Sequence, residues 1–203
     1  MPDPYLIPQG FHRIETEVAR SRFIASVTFT PTVDDAKAFL AQIRAEMPDA
    51  SHHVYAFRVG FGASVTEGMS DDGEPAGTAG PPVLAVVRGS KIGDVSLVVT
   101  RYFGGTKLGT GGLVRAYSEA AHIALNSLST TLKIEKRLLG VELPYNLYNQ
   151  GKLLIEAHGG VIEEELFEAN ITLMLRFAVV DVPPFTDALR DLSHGKIAPV
   201  DLD

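Results

Sequence analysis

Two glycine-dense stretches set the reading of this chain: Ser70-Asp71-Asp72-Gly73-Glu74-Pro75-Ala76-Gly77-Thr78-Ala79-Gly80 and Arg101-Tyr102-Phe103-Gly104-Gly105-Thr106-Lys107-Leu108-Gly109-Thr110-Gly111-Gly112. Each runs directly into an apolar pattern of helical spacing. Glycines this dense leave backbone N–H groups accessible and admit left-handed dihedrals. A helix start adds partial positive charge. Residues 70–121 therefore read as a site for an anionic or polar partner, and the remainder as its scaffold.

Outward from the blocks, the scaffold alternates strands and helices. Residues 11–30 read as two strands, and the second, from Ser21 to Phe29, is rich in aromatic and β-branched residues. Thr32 caps a following helix with Asp34 and Asp35 in its first turn; Ala36, Phe39, Leu40, Ile43 and Met47 keep helical spacing until Pro48. Residues 53–59 alternate as a strand. Residues 60–80 read as one long glycine-rich loop without periodicity. Pro81-Pro82 suits the first turn of a helix that continues through Val87. Residues 95–100 form a buried-strand run, and 113–128 an amphipathic helix with Arg115, Glu119, His122 and Asn126 on its polar face.

Residues 130–137 form a polar crossing, and the domain boundary is placed there. Beyond it, strands are expected at 138–144, 161–167, 171–180 and 196–200, with helices at 146–158 and 183–192. That order, βαββαβ, is a split-βαβ sandwich of ferredoxin-like type. The expected fold is α+β in two domains, 1–133 and 138–203, each mixing helices with a largely antiparallel sheet.

Composition bounds the function. The 203 residues contain no cysteine, which removes disulfides, thiol nucleophiles and thiolate metal sites. No apolar run approaches a membrane span and no signal peptide is visible, so a cytoplasmic location away from membranes is expected. Net charge is −7, against a generally basic nucleic-acid binder. The charge is uneven, however: residues 1–137 carry 14 basic and 14 acidic side chains, and 138–203 carry 4 and 11. Within 86–118, five bases (Arg88, Lys91, Arg101, Lys107, Arg115) face one acid, Asp94. This basic island can attract phosphate within an acidic protein.

In the second block, Gly109, Gly111 and Gly112 precede a helix carrying Arg115, with Lys107 in the loop and Arg101 at the strand end. An anion at the helix start would meet N–H groups and as many as three cations. No Gly-Lys-Ser/Thr follows at P-loop spacing, and Val114 stands where a dinucleotide fingerprint needs its third glycine. The plain alternative is a tight turn with Arg115 paired to Glu119. In the first block, Asp71, Asp72 and Glu74 could hold a cation or act on one another's pKa. Their alternatives are turn capping of backbone N–H groups and ion pairing with Arg101 or Lys107. Tyr102 and Phe103 are candidates to stack bases or to fill the core. Alternation puts His52 and His53 on opposite faces of their strand, each structural or site-facing. The run Glu163-Glu164-Glu165 reads as solvated surface.

The two blocks together, with Ser21-Arg22-Phe23-Ile24 and His52-x-x-Tyr55-Ala56, resemble the signature of the YigZ/IMPACT family over most of residues 11–128. The βαββαβ stretch resembles the small domain attached to bacterial members. The family often has Arg after Gly77-Thr78-Ala79-Gly80; this chain has Pro81, one cation fewer. The resemblance implies an N-terminal domain related to the second domain of a small-subunit ribosomal protein and a C-terminal domain like the last domain of elongation factor G. It also implies a link to translation, since eukaryotic relatives act in translational control through a protein partner.

The expected function is a non-enzymatic binding protein near translation, contacting RNA, the ribosome or a translation factor, with no cofactor and no metal. Its candidate surface comprises His52, Asp71, Asp72, Glu74, Thr78, Arg101, Tyr102, Lys107, Gly109, Gly111, Gly112 and Arg115. The alternative is an enzyme or binder acting on a small phosphorylated or anionic metabolite, with an acid of the first block as base or Mg²⁺ ligand and Lys107 and Arg115 holding the anion.

Overall fold

A computed structural model describes residues 4–62 and 64–203. The chain divides into two units, residues 1–133 and 134–203. Both are α+β.

The first unit is built on a five-stranded antiparallel sheet. Its strands are β2 (His12–Val18), β3 (Ser21–Phe29), β4 (His52–Phe61), β5 (Ser64–Ser70) and β6 (Val95–Tyr102), in the order β2-β3-β6-β4-β5. β6 is central and buried on both faces, which is why Val95, Leu97, Val98 and Val99 follow one another with few polar residues between them. Helices α2 (Gly80–Gly89) and α3 (Gly109–Asn126) cover one face, over Phe23, Ala25, Val54, Ala56, Leu97 and Val99. Helix α1 (Val33–Glu46) covers the other, with Phe39 and Ile43 on Ile24 and Val98. Thr32 caps α1 as its sequence predicts, accepting from the Asp35 N–H. β1 (Tyr5–Pro8) pairs with β7 (Thr130–Lys133) in a separate two-stranded ribbon.

Three departures from the sequence reading have physical causes. Residues 60–80 are not one loop, because β5 occupies 64–70 and pairs with β4. Its period is hidden by its edge position and by Gly68. A side-chain carbon at Gly68 would stand 2.4 Å from the Phe57 ring, so the neighbouring aromatic takes that space. The polar crossing at 130–137 is strand in part, since β7 is bonded to β1 far away in sequence. Helix α3 begins at Gly109 rather than 113, its glycine-rich first turn carried by the packing of Leu113, Ala116 and Tyr117 behind it.

The second unit follows the expected βαββαβ order: β8 (Lys136–Leu143), α4 (Tyr148–Ala157), β9 (Val161–Phe167), β10 (Ile171–Ala178), α5 (Val182–Leu192) and β11 (Val200–Asp201). The sheet order is β11-β8-β10-β9. One face packs Leu139, Val141, Leu173, Leu175 and Phe177 against Ile155, Phe185 and Leu189 of the helices. The last strand is two residues long instead of the five expected at 196–200. The N–H groups of Lys196 and Ile197 turn back onto Ser193, and Pro199 has none to give.

Candidate functional site

The first glycine block is held by its own carboxylates. Asp71 follows β5 and accepts from the N–H groups of Gly77 (2.8 Å), Ala79 (2.9 Å) and Gly80 (2.8 Å). It thereby serves the start of α2, where no neighbouring side chain caps the helix. Burial pushes its pKa up, but the three N–H donors outweigh that and hold the carboxyl below its ordinary value. The anion position at this helix start is thus filled from within the chain. Asp72 accepts from the His53 N–H at 2.6 Å and pairs with Arg44 at 2.5 Å, tying the block to β4 and α1. Thr78 is buried and turns its hydroxyl onto the Pro75 carbonyl at 2.6 Å.

Glu74 points inward. Its Oε1 accepts from Arg101 Nη1 at 2.6 Å and from the Tyr117 hydroxyl at 2.7 Å. Strand alternation explains the meeting. Arg101 lies directly opposite both Phe23 and His52 in the sheet, so all three side chains share the face covered by α2 and α3. Ser21 joins the group, accepting from Arg101 Nη2 at 3.4 Å and from the Gly104 N–H at 3.1 Å. Burial, and then the bond to Glu74, push the Tyr117 phenol far above its ordinary value. His52 turns its Nδ1 to the Asp72 carbonyl at 2.8 Å, and its Nε2 stands 3.9 Å from Glu74 Oε2.

Arg101 is therefore not one of three cations open to an anion; it is a buried partner of Glu74. Tyr102, one residue on, points to the opposite face, where its hydroxyl reaches Asp49 at 3.0 Å and Arg22 lies over its ring. Phe103 is half exposed, with its ring 5.5 Å from the Arg101 guanidinium carbon.

The second block differs in character from the first. Gly104 is fixed by sterics, since a side-chain carbon there would stand 2.0 Å from the Arg20 carbonyl. That approach brings in a cation the sequence reading missed: Arg20 donates to Thr106 Oγ1 at 3.0 Å. No local pattern links residues 20 and 106; only the pairing of β3 with β6 does. Lys107 and Arg115 are exposed and form no ion pair among the described residues, so the Arg115–Glu119 pairing does not occur. Gly109, Gly111 and Gly112 form the start of α3, which has no acidic residue in its first turn and no side-chain cap. Among the described residues, no group of three His, Asp or Glu is placed to hold a metal, and no helix is long and apolar enough to cross a membrane.

Comparison with known proteins places this arrangement. The family model of the Impact N-terminal domain matches residues 19–125, which include both blocks, and that of a domain of unknown function, DUF1949, matches residues 141–196. An IMPACT family member of Haemophilus influenzae is 40% identical over 194 residues, covering 95% of this chain and 94% of its own. The IMPACT family member YigZ of Escherichia coli is 38% identical over 196 residues, covering 96% of each. A solved structure described as a hypothetical protein is 37% identical, with a TM-score of 0.71 over 100% of this chain and 99% of that one. The chain belongs to the IMPACT family.

Proposed function

We propose that this is a non-enzymatic cytoplasmic binding protein linked to translation, and that the second glycine block contacts RNA phosphates. The translational setting is the one the family resemblance implies. The observation that carries the contact is the contrast between the two blocks. The carboxylates Asp71, Asp72 and Glu74 are engaged by backbone N–H groups, Arg44 and Arg101. Around the second block, Arg20, Lys107 and Arg115 have no carboxylate partner among the described residues, and the start of α3 is uncapped. Cations without counter-charges beside exposed backbone N–H groups suit phosphate oxygens. The same contrast weighs against the metabolite enzyme, whose base or Mg²⁺ ligand was to come from the first block.

The test is single-stranded RNA binding over a salt series by fluorescence anisotropy. The triple variant Arg20→Ala, Lys107→Ala, Arg115→Ala is expected to bind more weakly, with a log–log salt slope shallower by about 2 for three lost phosphate contacts. Unchanged binding by a folded triple variant overturns the proposal. Recovery of a partner from lysate after nuclease treatment, lost in the same variant, would replace RNA with an acidic protein segment.

A further inference from the structure

The structure separates the two aromatic residues at the end of β6. Tyr102 packs against the hydrophobic cluster under α1, with its hydroxyl on Asp49 and Arg22 over its ring. Among the described residues, Phe103 packs against neither hydrophobic cluster of the N-terminal unit, and it stays half exposed. Filling the core accounts for Tyr102 and leaves Phe103 without a role.

Phe103 is nevertheless held in place. Its N–H donates to Ser51 Oγ at 3.1 Å, and the N–H of Gly104 donates to Ser21 Oγ at 3.1 Å. Gly104 is wedged against the Arg20 carbonyl. The Arg101 guanidinium lies over the Phe103 ring, its carbon 5.5 Å from the ring centroid, and is itself pinned by Glu74. The exposure of the ring is therefore on the side away from Arg101. A ring fixed through its backbone and backed by a buried cation loses little freedom when a flat partner settles on it.

The surroundings specify that partner's chemistry. The same loop carries Lys107 and, through its bond to Thr106, holds Arg20; neither meets a carboxylate among the described residues. A flat apolar group that arrives with negative charge beside it is a nucleotide, its base on the ring and its phosphates on the cations. A base inside a duplex keeps both faces stacked on its neighbours and has none to offer; an unpaired base has. An acidic protein segment would answer the cations but not the ring.

We infer that Phe103 stacks an unpaired base of the RNA, so that the ligand of this face is single-stranded RNA rather than a duplex. Stacking takes place on an open ring face and needs no cavity, and every base has such a face, so the contact selects for strandedness and not for sequence. The inference rests on the RNA contact proposed above and adds the class of RNA to it.

The test compares short oligouridylate, an abasic ribose-phosphate strand of equal length, and the duplex of oligouridylate with oligoadenylate. By fluorescence anisotropy the intact protein is expected to bind oligouridylate about tenfold more tightly than the abasic strand. Phe103→Ala should bring the two within about twofold by weakening oligouridylate alone, since it leaves every cation in place. The chain has no tryptophan, so Phe103→Trp installs a single reporter on the ring's position. That variant should keep the margin of about tenfold, with its fluorescence falling on oligouridylate and holding steady with the abasic strand and the duplex. Equal affinities of the intact protein for oligouridylate and the abasic strand, an undiminished margin in folded Phe103→Ala, or equal quenching of Phe103→Trp by the duplex overturns the inference and leaves the phosphate contact standing. Binding of none of the three probes overturns both.

Discussion

Glu74 and Arg101, 27 positions apart in sequence, meet in a 2.6 Å ion pair whose side chains are 3% and 6% exposed. The pair fastens the first glycine block to the central strand, and Tyr117 fastens both to α3. A buried pair of this kind is weak evidence of net stabilisation, because desolvation offsets attraction. Removing one member is another matter, since it strands the other charge.

Glu74→Ala is therefore expected to lower unfolding free energy by about 3–5 kcal/mol, measured by urea denaturation with an unchanged m-value. Tyr117→Phe removes one donor and leaves the ion pair, and should cost about 1 kcal/mol. A Glu74→Ala loss no larger than that of Tyr117→Phe would show that the guanidinium finds water in the altered protein.

Asp71 yields a prediction with a pH signature. Asp71→Ala leaves three N–H groups at the start of α2 without an acceptor and should cost about 1–2 kcal/mol near neutral pH. The folded carboxyl is held below its ordinary value of 3.8, so its contribution is present above that pH and is lost as pH falls through the lowered folded value. Thermal denaturation from pH 7 to pH 3 should show the wild-type and variant midpoints converging at the acid end. Parallel curves would mean the carboxylate contributes only through its shape.

Asp94 carries a third prediction. It is buried at φ +47° and accepts from the Tyr5 hydroxyl (2.8 Å), the Gly60 N–H (2.7 Å) and the Lys133 ammonium. One side chain thus holds β1, β4 and β7 together. Asp94→Ala should cost roughly 3 kcal/mol by leaving these donors unmatched. Asp94→Asn should cost less, since asparagine tolerates the left-handed backbone and keeps one acceptor. Hydrogen exchange should show the β1–β7 ribbon opening first in both variants.

Much of this architecture was legible because it is written in local periods. The helical spacing around Phe39 and Ile43, the apolar run of β6 and the order of elements after residue 138 need no distant partner to be read. What escaped depends on partners remote in sequence. β5 shows its role only once Phe57 lies over Gly68, and β7 only beside β1. In the candidate site, the glycine blocks stood out by composition, and turn capping and ion pairing were among the readings that composition left open. That Arg101 is buried while Arg20 stands at the loop follows from which strands neighbour which, and single-chain spacing does not encode that.

The ribbon of β1 and β7 has a topological consequence. Tyr5 lies opposite Lys133, so the first and last strands of the N-terminal unit run side by side. A unit whose ends adjoin can be rewired: a short glycine-rich linker from Lys133 to Tyr5 would close it into a ring, and new termini could be opened in a loop away from both glycine blocks. The evolutionary counterpart is portability, for a module with adjacent ends can be set before another domain, or inside one, without disturbing the packing between its helices and its sheet.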